Sequence, residues 1–327
     1  MPHLADATDA QQAQILADTY ALWGDGLPLE GYVAWNRAQL RTPWGHSHLR
    51  RVVWTDGSRV LASAKRYELQ VRLDGRSVRT LGIGALFTPP DLRGRGHARA
   101  LVESMCGEAA RDGFELALLF SEIGAGYYER LGFRTVPVVS CDISVRMPGG
   151  APAVLARAGD ERDAPAVAAM HAERLKRYRF GLELDADLVR YSVSKKRLMA
   201  AVGPPGRRSV EYFVIEEGDQ AVAFVLMQVT RGRRGEPDAW SLAACGDRDP
   251  AGARIGALLQ VLVARQPAAV PPRIRSWWPA DLKPPQLDIR PRGPSSEVMM
   301  IRPLGPGGEP ARPLEREDVL YWHGDAF

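Results

Sequence analysis

The segment Leu86-Phe-Thr-Pro-Pro-Asp-Leu-Arg-Gly-Arg-Gly-His-Ala-Arg-Ala-Leu101 constrains this chain more than any other. An apolar run of strand length enters a short loop with two glycines and leaves it as a helix. Such a junction points the free N–H groups and the positive dipole end of the helix at whatever lies above the loop. Gly94 and Gly96 let an anion approach the backbone closely, and Arg93 and Arg95 add charge for phosphate oxygens. The loop is not a P-loop, because no Gly-Lys-Ser/Thr follows, and it lacks the G-x-G-x-x-G spacing of a dinucleotide fold. Taken alone, it also reads as a tight turn carrying a solvated arginine pair.

The surrounding pattern alternates helices and strands. Residues 9–22 and 28–42 space their apolar positions as helices. Leu49–Trp54, Val60–Leu73 and Ser77–Thr88 read as strands, with Asp74-Gly75 as the turn between the last two. A helix is expected from Arg93 to Arg111, an apolar strand over Phe114–Phe120 and a short helix over Ala125–Leu131. Met147-Pro-Gly-Gly-Ala-Pro152 is a linker signal. After it the order begins again: a helix over Pro165–Arg179, a hairpin Val210–Glu216 and Gln220–Thr230 closed by Glu217-Gly218-Asp219, a strand Trp240–Ala244 and a helix Ala253–Ala264. The expected fold class is α/β (α+β), a mixed central sheet flanked by helices, built twice in tandem. The expected domains are 1–148 and 152–327.

Composition narrows the class. The chain has 327 residues, 45% hydrophobic and 25% charged, a mix that supports one core per domain. The beginning of the sequence lacks the basic-then-apolar pattern of a signal peptide, and no run reaches the roughly 18 apolar residues of a membrane span. Cys106, Cys141 and Cys245 lie far apart and suit reduced thiols. A cytoplasmic protein is expected, with no membrane partner. The net charge of +4 is carried by arginines interspersed with acids, as in Arg231-Gly-Arg-Arg234, so a solvated surface is preferred to a nucleic-acid face. His46 and His48 lack companions at ligand spacing, and no metal is expected.

Two motifs then fall in order. Arg93-Gly-Arg-Gly-His-Ala98 matches R/Q-x-x-G-x-G/A, and Gly126-Tyr-Tyr-Glu-Arg-Leu-Gly-Phe133 matches Y-x-x-x-G-F about thirty residues later. With the helix and apolar strand between them, the chain resembles the GNAT acetyltransferase superfamily over residues 80–135, and more loosely over 1–148. Phe87–Ala98 with Leu119-Phe-Ser-Glu-Ile-Gly124 is similar to fungal lysine N6-acetyltransferases. Ser121-Glu122 and a second GNAT-like half resemble the enhanced-intracellular-survival aminoglycoside acetyltransferases. The resemblance implies acetyl-CoA as cosubstrate and a small-molecule amine as acceptor. It implies pantetheine contacts from the backbone of Leu86, Phe87 and Thr88. It implies a pyrophosphate cradle from Arg93, Gly94, Arg95, Gly96, His97, Ala98 and Arg99. Ser121 and Glu122 would lie near the thioester, and Tyr128 would donate a proton to the leaving thiolate.

Members of the superfamily often carry a basic carboxylate on the strand before the loop, and Leu81–Thr88 has none. Three groups compete for that role: Glu122, Asp325 and the terminal carboxylate of Phe327. The last comes from the enhanced-intracellular-survival resemblance, given the apolar, strand-like tail Asp318-Val-Leu-Tyr-Trp-His-Gly-Asp-Ala-Phe327. The second half's equivalent turn, Gly246-Asp-Arg-Asp-Pro-Ala-Gly-Ala-Arg-Ile-Gly256, carries acids that repel a pyrophosphate. That half is expected to be degenerate and to help build the substrate pocket. Its aromatics Trp240, Trp277, Trp278, Tyr321 and Trp322 read first as core. A catalytically silent acetyl-CoA sensor and a protein-directed acetyltransferase remain open alternatives, as do the particular amine and the oligomeric state.

Overall fold

The computed structural model describes residues 1–57, 59–147, 154–232, 238–265, 272–295 and 297–327. Most of the expected linker, 148–153, and Arg233-Arg234 of the basic patch lie outside them. The elements run in the order β1 (His3–Asp6), α1 (Asp9–Trp23), α2 (Leu29–Arg41), α3 (Pro43–His48), β2 (Leu49–Thr55), β3 (Val60–Leu73), β4 (Arg76–Phe87), α4 (His97–Arg111), β5 (Leu116–Ser121), α5 (Gly126–Glu129), β6 (Arg134–Thr135), β7 (Val139–Val145), β8 (Ala156–Ala158), α6 (Ala164–Leu175), β9 (Phe180–Leu182), α7 (Ala186–Ala201), β10 (Arg208–Glu217), β11 (Gln220–Thr230), β12 (Ala239–Asp247), α8 (Ala253–Ala264), β13 (Ile274–Trp277), β14 (Leu287–Pro294), β15 (Val298–Pro303) and β16 (Val319–Leu320).

Two compact units emerge, and they do not follow a single cut in the chain. One comprises Met1–Val136, Ser296–Pro313 and Phe327; the other comprises Pro137–Ser295 and Leu314–Ala326. A division at 148 would leave β7 with the first unit, yet it pairs with β13 and β14 in the second. β15, from the far end of the chain, pairs with β5 and β6 in the first.

The first unit's strands run β1-β2-β3-β4-β5-β15-β6. The sheet is mixed: β2, β3 and β4 are antiparallel, whereas β4 and β5 are parallel, joined through α4. Asp74 and Gly75, at φ 48° and 84°, close the β3–β4 hairpin with the left-handed pair such a two-residue turn requires. Thr8 and Gln11 exchange capping hydrogen bonds at the start of α1. α4 buries Leu101, Val102, Met105, Cys106 and Ala109 against Val52, Ala62, Ala64, Leu81 and Ile83 of the sheet. Each large side chain so buried contributes about 1.5–3 kcal/mol, which anchors the helix whose N-terminus meets the glycine loop. His46 and His48 lie on α3, where His48 stacks on Trp44 at 5.1 Å.

The second unit's sheet runs β14-β7-β13-β12-β11-β10-β8, again mixed, with β12 and β13 parallel and joined through α8. Gly218, at φ 66°, turns the β10–β11 hairpin. α8 buries Ile255, Leu258, Leu259, Leu262 and Val263. α6 and α7 pack Val167, Met170, Val189 and Val193 with Phe224 and Leu226. Trp240, Trp277, Trp278, Tyr321 and Trp322 are all buried core residues. The tail is less strand-like than its sequence suggests. β16 is two residues long, parallel to β9, and a 3-10 turn over His323–Asp325 comes after it. Gly324 sits so close to β12 that a Cβ would fall 2.4 Å from the Ala243 carbonyl oxygen. Among the described residues, no helix is long and apolar enough to cross a membrane.

Candidate functional site

The glycine loop begins with a fault in the first sheet. β3 and β4 are in register up to Lys65 opposite Gly84, and resume with Ser63 opposite Phe87, so β4 carries one extra residue. Ala85 takes φ 48° there, a left-handed conformation costing a β-carbon roughly 1–2 kcal/mol. A bulge bends its strand and redirects the backbone beyond it. The parallel pairing of β4 with β5 stops at Ile83 opposite Leu119, although β5 continues to Ser121. The two strands thus part at their C-terminal ends. The β4 edge over Leu86, Phe87 and Thr88 is left without a β5 partner, while the Phe87 ring stays buried against Trp23.

From Thr88 the chain makes a 3-10 turn at Pro90–Leu92 and reaches Gly94 and Gly96 at φ 76° and 82°. These left-handed residues delay α4 to His97, past the Arg93 start that its sequence pattern suggests. The first helical bond runs from the Ala100 N–H to the Gly96 carbonyl at 2.9 Å. The N–H groups of His97, Ala98 and Arg99 are therefore the orphan donors of the helix start. A Cβ at Gly94 or Gly96 would meet no atom within 4 Å. Conformation, not crowding by the protein, demands glycine at both positions, and the space above the loop is open. Arg93, Arg95 and Arg99 are exposed there, and Arg93 Nε donates to the Thr88 carbonyl at 3.3 Å. Free N–H donors, a helix dipole and guanidinium groups around an open concavity fit the pyrophosphate of acetyl-CoA.

The end of β5 connects three further groups. Ser121 is buried, and its hydroxyl donates to the Gly124 carbonyl at 2.6 Å, closing the turn toward α5. Glu122 is exposed, and its charge acts on Tyr128. Tyr128 is buried on the one-turn α5, edge-on to Tyr127 at 5.0 Å and to Phe133 at 6.0 Å. Burial, with smaller contributions from Tyr127 and Glu122, pushes the Tyr128 phenol up to about 12. The neighbouring Tyr127 feels Arg130 and Arg99, which ties the start of α4 to the tyrosine pair.

The third group is Phe327. Its ring lies 4.5 Å from that of Tyr67 on β3 and edge-on to Phe120 at 5.2 Å. It rests on two glycines of β4. A Cβ at Gly82 would fall 2.8 Å from Phe327 Cζ, and one at Gly84 would fall 3.1 Å from the Phe327 carbonyl oxygen. The main-chain end of Phe327 is thus seated on β4, one residue before the bulge. Gly82, Gly84 and Tyr67, which contact Phe327, were not singled out in the sequence, where the spacing Gly82-x-Gly84 on an otherwise apolar strand was the available signal. The Tyr67 hydroxyl is buried with no hydrogen-bond partner among the described residues.

Asp325 belongs to the second unit. It shares a buried cluster with Lys195 and Lys196, and Lys196 Nζ donates to the Gly324 carbonyl at 2.8 Å and to Ser192 Oγ at 2.7 Å. Burial pushes the Asp325 carboxyl up, and the two ammonium groups oppose that shift. The second unit also repeats the strand, glycine turn and helix, with Gly252 at φ 70° before α8. Here Asp247 fills the helix end. Its carboxylate accepts from the Asp249 N–H at 2.8 Å, the Arg254 N–H at 3.0 Å and Arg254 Nη1 at 3.1 Å. An internal carboxylate thus accepts from one N–H of this helix start.

Residues 12–136 match the family profile described as an acetyltransferase (GNAT) domain. Among solved structures, a probable N-acyltransferase from Enterococcus faecalis V583 is similar at TM-score 0.68 and 12% identity, covering 93% of this chain and 72% of that one. A GCN5-related N-acetyltransferase from Kribbella flavida gives 0.63 and 15%, covering 93% and 72%. Eis1 from Mycobacterium abscessus gives 0.58 and 15%, covering 93% and 74%. At these identities the likeness is one of fold. No curated protein sequence matches the chain.

Proposed function

Residues 12–136 being a GNAT acetyltransferase domain, an acyltransferase unit whose cosubstrate is acetyl-CoA, we propose that this chain acetylates a primary amine of a small molecule, of the amino-acid, polyamine or aminoglycoside kind. The observation that carries the reading is the parted end of β4 and β5, with the anion-binding loop on one side and Phe327 seated on Gly84. Acetyl-CoA supplies the acetyl group as a thioester. Arg93, Arg95, Arg99 and the N–H groups from Gly94 to Arg99 hold its pyrophosphate, and the open backbone edge from Leu86 to Thr88 holds the pantetheine arm.

An alkyl ammonium of pKa about 10.4 must lose a proton before its nitrogen can attack. The carboxylate that closes this sequence at Phe327 takes that proton, and Glu122, exposed at the end of β5, exchanges it with solvent. The nitrogen forms its bond to the acyl carbon as the carbon–sulfur bond breaks. Tyr128 Oη then gives its proton to the departing sulfur, whose conjugate acid has a pKa near 8.5. The bonded nitrogen gives up its second proton, which restores the Tyr128 phenol, so the products are the acetamide and free coenzyme A thiol, with one proton released to solvent. In the second unit Asp247 fills the equivalent turn, so it supplies no acetyl-CoA site.

The test is thiol release from acetyl-CoA with a panel of amino acids, polyamines and aminoglycosides. Saturable turnover with at least one small amine, abolished by Gly96→Glu, is expected. Turnover only with a folded protein as acceptor would overturn the substrate class. Acetyl-CoA binding with no acceptor at all would favour a sensor.

A further inference from the structure

The second unit holds a cavity of about 340 Å³ beside the turn after β12. Among its lining residues are Met170, Glu173, Arg174 and Arg177 from α6 and the turn after it, and Asp247 and Arg248 from the end of β12. Three guanidinium groups, those of Arg174, Arg177 and Arg248, line it. Arg174 is only 8% exposed, and its Nη2 donates to the Pro250 carbonyl at 3.1 Å. Its Nη1 is buried with no hydrogen-bond partner among the described residues, and Asp281 Oδ2 stands 3.5 Å away on a side chain that is 44% exposed. Arg248 Nη1 donates to the amide oxygen of Gln220 at 2.7 Å, a neutral acceptor that leaves the charge uncompensated. Arg177 is exposed and makes no ion pair with a described residue.

The two acids in the lining do not balance this charge. Asp247 is spent on the start of α8 and on Arg254. Glu173 pairs with Lys176 and interacts with Arg177 as well, so it offsets this charge only in part. Arg174 is paired with Asp281, whose side chain is itself partly exposed, so an anion bound in the cavity would share this guanidinium with Asp281 and gain further charge-assisted contacts from Arg177 and Arg248. Guanidinium forks match planar carboxylates and phosphates better than they match other anions. The volume falls at the low end of the roughly 300–1,000 Å³ range of ligand pockets, which limits the ligand to a small molecule.

We propose that the second unit binds a small oxyanion, a carboxylate or a phosphate, in this cavity on Arg174, Arg177 and Arg248. The anion site of a glycine turn has moved sideways: an internal carboxylate caps the helix, and the arginines beside it carry the charge that recruits a ligand. This site is independent of acetyl transfer in the first unit.

Calorimetry on the full chain at low ionic strength, with inorganic phosphate and with succinate, tests it. All measurements use the Gly96→Glu background, so that the start of α4 does not contribute. At least one of the two anions should bind, and the tighter of them identifies the headgroup. Arg177→Gln combined with Arg248→Gln, both at exposed positions that leave the core intact, should weaken binding at least about tenfold, as expected for lost charge-assisted hydrogen bonds. Arg174→Met, which keeps the stem, should weaken it further. Failure of both anions to bind, or equal affinity in the doubly substituted chain, would overturn the proposal.

Discussion

Replacing Tyr128 by phenylalanine separates chemistry from packing in this site. The ring contacts with Tyr127 at 5.0 Å and Phe133 at 6.0 Å survive the change, because only the hydroxyl is removed. Deleting one hydroxyl while keeping the ring alters stability by about 1 kcal/mol in either direction. Loss of a placed proton donor lowers turnover by about 100- to 10,000-fold, equivalent to about 2.7–5.4 kcal/mol in the barrier. The kinetic effect thus exceeds the structural one and is read without ambiguity. The phenol is held at about 12 by burial, so it stays protonated across the assay range. The wild-type rate should show no descending limb from this group below about pH 10, and the variant should keep the ascending limb set by proton removal from the amine. Thiol release measured from pH 6 to about 10, with acetyl-CoA affinity monitored by calorimetry, supplies both readouts. Tyr127→Phe is the control and should retain most of the activity. Full turnover by Tyr128→Phe at every pH would refute the assignment.

Single contacts elsewhere in the molecule have consequences of their own. Gly96→Glu forces a side chain into φ 82° and places a negative charge at the helix start; acetyl-CoA binding by calorimetry should disappear, and normal binding would move the cofactor elsewhere. Gly84→Ala sets a methyl 3.1 Å from the Phe327 carbonyl oxygen, closer than an ordinary contact. The Phe327 main chain and the Tyr67 ring, 3.2 Å away, must give by a few tenths of an ångström, so turnover should fall about two- to tenfold while acetyl-CoA affinity holds, misplacement of reacting groups being poorly tolerated; unchanged turnover would count against a role for Phe327 in the chemistry. His171, buried with Nε2 donating to the Leu182 carbonyl at 2.7 Å, is pushed down to about 4 by burial. Its folded pKa lies below the unfolded value of 6.5, so its contribution is complete above that value and lost as pH falls toward 4. Acidification from pH 7 to about 4.5 should cost about 2.5 kcal/mol through this group. Urea melts at the two pH values should show that extra loss in the wild type and not in His171→Gln.

The loop was legible in the sequence because its chemistry is local. Gly94 and Gly96 announce left-handed backbone, Arg93 and Arg95 announce an anion, and the tyrosine segment comes at a fixed distance. The hairpin at Asp74-Gly75 and the helices 9–22 and 28–42 were legible for the same reason, as each is specified within about fifteen residues. The bulge at Ala85 was not, because alanine carries no mark of a positive φ and the register of β3 imposes it. The exchange of β7 and β15 between sheets was also hidden. Val139–Val145 and Val298–Pro303 drew no reading from the sequence, and nothing in either names its neighbours. α7 had a signal that was passed over, since Asp185 caps it by accepting from the Leu188 N–H at 2.7 Å.

The seat of Phe327 on β4, where the proposed base lies, could not be read from one strand. The motif strand has glycine at 82 and 84 and no carboxylate anywhere from Leu81 to Thr88. Read alone, those glycines weaken a strand for no return. Their purpose depends on a residue more than 240 positions away in the chain, whose ring and main-chain end need the space that two side chains would fill. The turn before α8 poses the complementary case. Its acids were legible as a reason to repel phosphate, yet repulsion is the lesser part of what Asp247 does. By accepting two backbone N–H groups and a guanidinium, it places an anion of the chain itself at the turn where the proposed site in the first unit would take one from a ligand. The same strand, glycine turn and helix thus carry an internal carboxylate at the turn in one unit and an open glycine loop in the other, the difference on which the proposed pyrophosphate site rests.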